Sequence, residues 1–222
     1  MDDLKNIQKV DPLKRIVERQ TDQEELSPME PPDAYEPPNK EEIPYEERHP
    51  FLQKFMDEHK RCVKELDAFE EVLIKIHKEG VKPEFNKPMR EFFEFVDNNV
   101  VSHNLKEEKI LFPVLQKILL ETGQHSNGPE STTAVDMLED DHIKLMQLSA
   151  VTFNFFGLAG RLPDTASRAI VLDAALEQGK ALVEMLKLHI FREDNVVFVQ
   201  AQNNLGQEAM DGMLTELENF KH

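Results

Sequence analysis

The chain has 222 residues, 40% hydrophobic and 31% charged, which suffices for one well-filled core and is too short for two large ones. A formal net charge of −17 argues against nucleic acid and anionic membrane surfaces as partners, because both would repel it. The sequence has no apolar run near the roughly 20 residues of a spanning helix, and its first ten residues lack the apolar stretch that is typical of a signal peptide. Its one cysteine, Cys62, excludes an internal disulfide framework. We therefore predict a soluble, cytoplasmic protein.

Residues 1–48 are predicted to form a flexible, disordered tail rich in proline and acidic residues. The stretch ELSPMEPPDAYEPPNKEEIPYEE holds six prolines and few large aliphatic residues, so it cannot bury enough apolar area to offset its ordering entropy. Nearer the N-terminus, LKNIQKVDPLKRIVERQ has apolar residues at roughly helical spacing, interrupted by Pro12. Two interpretations of this segment stay open: a transient surface helix, or a docking helix for a protein partner.

From His49 onward the apolar residues follow the three-and-four spacing of a helix face. Gly80 and Pro83 end the first helix, and Pro113 is expected to bend the second locally because proline removes one hydrogen-bond donor. The pattern predicts five helices, at residues 49–80, about 85–121, about 132–158, about 164–202 and about 206–220.

These elements predict an all-α fold, an up-down-up-down four-helix bundle with a short C-terminal helix. We place the bundle at residues 49–202, after the tail of residues 1–48, and a C-terminal helical extension at residues 203–222. The position of the last helix against the bundle is left open.

Two stretches of the sequence repeat in one register, SHNLKEEKILF at residues 102–112 and LHIFREDNVVF at residues 188–198. Each matched pair is separated by 86 positions, as 103 and 189 are. The matched polar pairs are His103 with His189, Lys106 with Arg192, Glu107 with Glu193, and Glu108 with Asp194. Helical periodicity places Ile110, Leu111 and Val114 on the face of Glu107, and Val196 and Val197 on the face of Glu193.

Four histidines lie on the apolar faces of the four long helices, one on each: His59, His103, His142 and His189. Glu107 and Glu193 follow two of them at i+4 and therefore share their faces. Burying these carboxylates is very costly without a cation or a proton, and no lysine or arginine falls on the inner faces. A metal centre resolves the conflict. Imidazoles with carboxylates suit iron, manganese or zinc, and two carboxylates from different helices can bridge two metals.

Distances along the helices test whether the histidines meet. His59 and His103 lie about 20 and 19 residues from the first turn, roughly 30 Å and 28 Å, so they share one level. His142 and His189 lie about 16 and 25 residues from the third connection, roughly 24 Å and 38 Å. The second pair therefore meets only if the loop is uneven or a helix starts late.

The order of the motifs resembles the hemerythrin-like (HHE cation-binding) domain family over about residues 49–202. The resemblance rests on MDEHK, HNLKEEKILFP, EDDHIKL and HIFREDNVVF, one in each long helix. It implies a four-helix bundle with two non-haem irons bridged by Glu107 and Glu193, and with His59, His103, His142 and His189 as terminal ligands. A ferritin-type site is disfavoured, because its Glu-x-x-His order occurs at only one candidate position, Glu139 to His142.

One position departs from the oxygen-carrying members of that family, which have HxxxH on the third helix. Here Met146 follows His142 at i+4, and a thioether is a poor ligand for such iron. The place is expected to be open, or filled by water, Glu108 or Glu139. His77 lies roughly 27 Å from His59 along one helix and is rejected as a ligand. The remaining histidines, His49, His125 and His222, are expected to be solvated.

Two alternative roles stay open for Cys62 and for four phenylalanines near the candidate metal site. Cys62, one turn after His59, is either a redox thiol or, as we favour, a small buried hydrophobe. Four phenylalanines either wall a dry pocket or, as we favour, are ordinary core: Phe55, Phe112, Phe191 and Phe198.

The leading functional hypothesis is a non-haem di-iron protein that binds or senses oxygen, nitric oxide or peroxide. A di-iron redox enzyme, or an iron donor for repair of iron–sulfur clusters, is the second hypothesis, since no general base or organic-cofactor motif decides for an enzyme. A metal-free helical adaptor that binds a partner through the tail and terminal helices is the third.

Overall fold

The computed structural model describes residues 43–128 and 131–220, and within these ranges the protein is helical without a strand. Short 3-10 turns at Tyr45–Glu47 and Pro83–Phe85 precede the first two helices. The five helices of the described ranges are α1 at Pro50–Glu79, α2 at residues 86–121, α3 at Ala134–Arg161, α4 at residues 165–204 and α5 at Gln207–Asn219. Their ends lie within three residues of the predicted ones, so the all-α prediction is confirmed. Most of the predicted tail, residues 1–42, lies outside the described residues.

Each described helix is too short or too polar to span a membrane.

His49 caps the start of α1 and is buried, so the expectation that it is solvated is wrong. Its Nδ1 accepts a hydrogen bond from the backbone N–H of Phe51, and Pro50 occupies the first helical position. Its Nε2 lies 3.2 Å from an Asp211 carboxylate oxygen on α5. A histidine at this position accepts a hydrogen bond from the first turn of its own helix. The periodic apolar pattern begins only after His49, so it does not indicate this capping role.

The polar ring is the set of six predicted metal-site residues, and it lies between two apolar clusters. Its members are His59, His103, Glu107, His142, His189 and Glu193. The first cluster includes Phe55, Ile110, Leu138 and Val197, which lie on one side of the ring along α1, α2, α3 and α4. The second cluster includes Cys62, Val100, Leu145 and Leu186, which lie on the other side along the same four helices. Apolar layers on both sides remove the ring from water and hold its helices together by hydrophobic burial.

The C-terminal helix α5, left unplaced by the sequence, packs against α1 and against residues 107–111 of α2. Met210 and Met213 are buried in the first apolar cluster. Lys54 of α1 donates a hydrogen bond to Glu218 at 2.7 Å, and this pair lies at the exposed edge of the contact. The helix therefore covers one end of the core.

Helices α2 and α4 each contain a π-helical turn that starts at a glutamate of the repeat. These turns are Glu107–Leu111 and Glu193–Val197, and the backbone N–H groups of Phe112 and Phe198 donate to the carbonyls of Glu107 and Glu193. Because a π turn adds one residue, it shifts the inward register by one position after each glutamate. The inward placement of Val114 is therefore wrong: its exposed fraction is 37%, and Leu115 is buried instead.

The two π turns also follow the 86-residue repeat, since 107 and 193 are their first residues. Pro113 lacks a backbone donor and favours the turn in α2, but the matching residue of α4 is Val199. Proline is therefore not the shared cause. Both turns begin on a fully buried glutamate, which ties this backbone feature to the polar ring.

The uneven heights of His142 and His189 are resolved by an offset between α3 and α4. His142 lies 19 residues before the end of α3 at Arg161, and His189 lies 24 residues after the start of α4 at Thr165. The two rings nevertheless lie 4.9 Å apart. Residues 163–170 are exposed, so the first turns of α4 extend beyond the packed end of the bundle and account for the difference.

Gly179 marks a close approach of α4 to its neighbours, and enlarging it should destabilise the fold. A Cβ atom there would lie 3.0 Å from Leu73 Cδ1 and 3.5 Å from Thr152 Cγ2. We expect Gly179→Val to lower the free energy of unfolding by about 1–3 kcal/mol through overpacking, as measured by urea denaturation. Gly157→Ala is the control, because its Cβ meets nothing within 4 Å and should raise stability by about 0.5–1 kcal/mol. Equal stability of the two variants would contradict the close approach.

Candidate metal centre

All six residues predicted to form the polar ring come together in the structure. They form two groups whose ligand atoms lie within 4.8 Å of one another, and the two groups share Glu107 and Glu193. His59 and His103 complete the first group, and His142 and His189 complete the second. The arrangement therefore has two equivalent halves, each with two imidazoles and the same two carboxylates.

The two shared carboxylates are the most buried polar groups of the ring. The exposed fraction of Glu107 and of Glu193 is 0%, and none of their four oxygen atoms makes a hydrogen bond within the described ranges. Histidine nitrogens approach these oxygens at 3.1–3.9 Å without hydrogen-bond alignment. Buried carboxylates without hydrogen bonds are costly, so the ring is built for a group that its protein atoms do not provide.

The imidazole nitrogens also face the centre. In the first group, His59 Nε2 and His103 Nε2 are hydrogen-bonded to each other at 2.9 Å, so one ring donates and the other accepts. In the second group, His142 Nε2 and both ring nitrogens of His189 lack hydrogen-bond partners among the described residues. Both halves of the ring therefore direct nitrogen and oxygen donors to a common interior, and these residues fit a bound metal ion.

A second carboxylate lies behind each histidine, at Nδ1, and comes from the neighbouring helix. Glu58 of α1 lies 2.8 Å from His103 of α2, and Glu108 of α2 lies 2.9 Å from His142 of α3. The series continues with Asp141 of α3 at 3.9 Å from His189 of α4, and with Asp194 of α4 at 2.8 Å from His59 of α1. These outer carboxylates thus link the four helices in a closed circle.

Carboxylates in this position fix the ring orientation and tautomer of an imidazole that binds metal through its other nitrogen. The sequence patterns did not predict this role for Glu58, Asp141 and Asp194. A signal was present, because every outer carboxylate is adjacent in sequence to a residue of the ring, as in Glu58-His59 and Asp141-His142. The contacts cross between helices, however, so the spacing within one helix does not reveal which histidine each acid supports.

Glu108 and Glu139, the carboxylates suggested for the place opposite Met146, belong to neither group. Glu108 lies instead behind His142, and Glu139 is exposed. Met146 itself is 39% exposed and lines a surface recess with His142. In the described part of the chain, neither carboxylate is therefore grouped with the histidines and glutamates of the ring.

The repeat-related cations Lys106 and Arg192 each hold one outer carboxylate. Lys106 Nζ donates to Glu58 Oε1, and the guanidinium of Arg192 donates to Asp141 Oδ2, both at 2.6 Å. This contact explains why a cation recurs one residue before each buried glutamate. Burial raises the pKa of Glu58, but the hydrogen bonds from His103 and Lys106 outweigh it and lower the pKa to about 2.

The acidic surroundings keep the histidines basic. Burial alone lowers the pKa of His59, but Asp194 and Glu193 outweigh it and raise the pKa to about 10. For His142 burial is likewise outweighed, by Glu107 and Glu193, and the pKa rises to about 10. For His189, Glu193 and Asp141 outweigh burial and raise the pKa to about 9. Without a metal, protons therefore supply the positive charge of the ring at neutral pH.

Three of the four phenylalanines proposed as a wall contact the imidazoles. Phe198 stacks on His59, Phe112 stacks on His142, and Phe55 meets His103 edge to face. Phe191 is 61% exposed, so both interpretations, a pocket wall and the favoured ordinary core, are wrong for this residue. The aromatic contacts restrict rotation of the rings and exclude water from one side of the site.

A cavity of about 130 Å³ connects the ring to the surface. Its inner end is lined by His59, His103 and His189, and its outer part by residues of α1 and α2. The side chain of Cys62 lies in its wall and is buried, which agrees with the interpretation of Cys62 as a small buried residue. Burial, with a further contribution from the charge of Glu193, raises the pKa of this thiol to about 12.

A helical bundle with buried histidines and shared carboxylates at its centre defines a metal-binding class of protein. The sequence model of the hemerythrin HHE cation-binding domain family matches residues 51–201. The chain belongs to this family, which confirms the resemblance found in the motifs. Neither a comparison with curated proteins nor one with solved structures gives a match.

Proposed function

We propose that the protein is a non-haem di-iron protein that binds or senses oxygen, nitric oxide or peroxide. The observation that carries the proposal is the pair of fully buried carboxylates, each shared by two groups of histidines and each without a hydrogen bond in the described ranges. A carboxylate oxygen on each side can bind one ion, so Glu107 and Glu193 suit a bridging role. Imidazole and carboxylate donors together suit iron.

The charge of the site supports two divalent ions. Six carboxylates surround the histidines, the two shared ones and the four outer ones: Glu58, Glu107, Glu108, Asp141, Glu193 and Asp194. Glu58 and Asp141 are each hydrogen-bonded to a lysine or an arginine. The remaining four negative charges have no such bond in the described part of the chain, and two divalent cations would balance them.

Each group of residues in the site has a distinct role in this proposal. Glu107 and Glu193 hold the two ions together, and the four histidines complete each half of the ring. The outer carboxylates orient the imidazoles, while Phe55, Phe112 and Phe198 keep water from one side. The irons, when bound, supply reversible redox chemistry and open positions for a small ligand.

Turnover at the same centre is the second candidate function, as a redox enzyme or an iron donor. The cavity meets one of its requirements, because turnover needs a path by which a substrate enters and a product leaves. A path to the ring is also needed for simple binding, so the functional distinction requires a kinetic measurement.

Metal content and an optical spectrum after anaerobic purification test the proposal. We expect about two irons per chain and, on titration with oxygen or peroxide, a charge-transfer band. A band that reverses on removal of the ligand supports binding, whereas sustained consumption supports turnover. Absence of iron after expression with ample iron would overturn both functions and favour the metal-free adaptor. One tightly held zinc would instead indicate a structural site.

We also infer the up-down-up-down order of the bundle. The first apolar cluster precedes the ring along α1 and α3 and follows it along α2 and α4, which supports alternating helix directions. The cytoplasmic location and the protein partner at the N-terminal tail stay predictions from the sequence.

The outer carboxylates provide a prediction specific to this site. Asp141→Asn removes the charge behind His189 and breaks the ion pair with Arg192, and we expect metal affinity to fall about 10- to 100-fold. Glu139→Gln is the matched control, because it removes an exposed carboxylate two residues away and should leave affinity unchanged. Competition with a chromogenic chelator measures both. Equal affinities for the two variants would show that Asp141 does not orient the histidine.

A further inference from the structure

Helix α3 carries two stripes of side chains along its length, one buried and one exposed. The buried stripe faces the core of the bundle and consists of Leu138, His142, Leu145, Ser149, Thr152 and Ala159. The exposed stripe is shifted from it by one residue, and we call it the outer stripe: Ile143, Met146, Ala150, Phe153, Gly157 and Gly160. Its spacing alternates between three and four residues, which is the spacing of a seam between two packed helices.

The large side chains of the outer stripe are exposed although they are apolar. The exposed fraction is 58% for Ile143, 39% for Met146 and 58% for Phe153. Phe153 contacts Phe93 of α2 edge to face, with 5.2 Å between the ring centroids. Beside Ile143 and Met146 the surface forms a recess of about 400 Å³ between α2 and α3, whose accessible lining is mainly apolar. Apolar surface of this extent marks an interaction site.

The charge of the sequence around the outer stripe favours a second copy of this chain as the partner. The chain has 43 acidic residues and a net charge of −17, so two copies repel each other over most of their surface. The longest stretch without an acidic residue is residues 142–163, and the outer stripe lies within it. Two copies therefore approach each other there with the least repulsion. A basic partner, by contrast, is attracted more strongly to the acidic faces elsewhere.

The residues that flank the outer stripe match a second copy in antiparallel orientation. Glu139 and Arg161 lie one turn beyond the stripe on the same face, equally far before and after Ala150, and both are exposed. When two copies of α3 cross at Ala150 in opposite directions, Glu139 of each copy lies opposite Arg161 of the other. Ile143 and Gly157 are also equally far from Ala150, so the large side chain faces a position without one.

We propose that the outer stripe is the interface of a homodimer, in which α3 packs antiparallel against α3 of a second copy about a twofold axis at Ala150. Both copies contribute the same residues, as a twofold interface requires. Met146, the residue that departs from HxxxH on this helix, is then a contact residue of the dimer. The proposal does not depend on bound metal, because the outer stripe shares no residue with either group of the ring.

Sedimentation equilibrium of the full chain tests the dimer. We expect the wild-type protein to have twice the mass of one chain. Ala150→Glu should weaken the dimer about 100-fold, because it places two like charges at the twofold axis. A wild-type protein that is monomeric at every concentration would overturn the proposal and leave the outer stripe to a helix of another protein. An Ala150→Glu dimer as stable as the wild-type dimer would overturn it too.

Val151→Glu is the matched control, because Val151 is exposed, adjacent in sequence and outside the outer stripe. It adds the same charge to the same helix and should leave the dimer unchanged. Equal weakening by Ala150→Glu and Val151→Glu would show that net charge, rather than the outer stripe, controls association, and the proposal would be wrong. Circular dichroism establishes that each variant is folded. If Ala150→Glu does not fold, the exchange of charges at the ends of the stripe decides.

This exchange of charges tests the antiparallel orientation. Glu139→Arg should weaken the dimer about three- to tenfold, because arginines then lie opposite each other at both ends, although the net negative charge of each copy falls. Arg161→Glu should weaken it by a similar factor, since glutamates then face each other. The double variant Glu139→Arg/Arg161→Glu has the wild-type net charge and should restore the dimer. A double variant no stronger than the single ones would overturn the antiparallel interface.

Discussion

Glu193→Ala is expected to abolish binding of both metal ions, because Glu193 belongs to both halves of the ring. His103→Ala removes a donor from one half only, so it should weaken one ion more than the other. The wild-type protein should gain about 3–4 kcal/mol of stability from metal at 100–1,000 times its dissociation constant, and Glu193→Ala should lose this gain. Metal content per chain and the difference in melting temperature between metal-loaded and metal-free protein measure the effect.

Glu193 also contacts His59 and His189 in the metal-free protein, so its loss lowers the melting temperature even without metal. The difference in melting temperature between metal-loaded and metal-free protein removes this contribution. His125→Ala serves as the control: His125 lies outside both groups and bonds only the backbone of Ser126 in the described structure. It should keep both ions and the full metal-dependent shift. Two ions per chain in Glu193→Ala, or equal behaviour of all three variants, would contradict a shared carboxylate.

The six ring residues were predictable because their signal lies within single helices. An acid four residues after a histidine shares its face, and apolar neighbours on both sides indicate burial. His59 and His142 lack such an acid, yet each lies among buried apolar residues of its helix. One-dimensional periodicity therefore recovered the composition of the centre without any knowledge of how the helices pack.

The features that the periodicity did not predict depend on π-helical turns and on contacts between helices. Because of the π turn that begins at Glu107, Leu115 rather than Val114 faces the core. No side-chain pattern in the sequence indicates that change. Likewise, Glu58 supports a histidine of α2 rather than its neighbour His59. Such a contact follows only from the rotation of one helix against another, which the sequence of either helix alone does not determine.

Metal loading at pH 7 is expected to release about three protons per chain. In the metal-free protein His59, His142 and His189 have pKa values raised to about 9–10 by the surrounding carboxylates, although burial opposes the shift. They are therefore protonated at neutral pH, and each must lose a proton from the nitrogen that binds the ion. Calorimetric titration with zinc, a redox-inert probe, in two buffers of different ionisation enthalpy gives the number released. Release of no proton would contradict the raised pKa values.

The raised histidine pKa values give opposite pH dependences to the stability of the metal-free fold and to the affinity for metal. Because the folded-state pKa values of these histidines lie above the ordinary value of 6.5, their protonation stabilises the metal-free fold fully below pH 6.5. That stability is lost as pH rises toward 9–10, by about 1.4 kcal/mol per pH unit for each histidine that stays protonated. Metal competes with the protons, so its affinity rises over the same range. Thermal unfolding from pH 6.5 to 9.5 should therefore show a falling melting temperature with chelator and a widening gap to the zinc-loaded protein. A gap that narrows with pH would show that protons do not occupy the places of the metal.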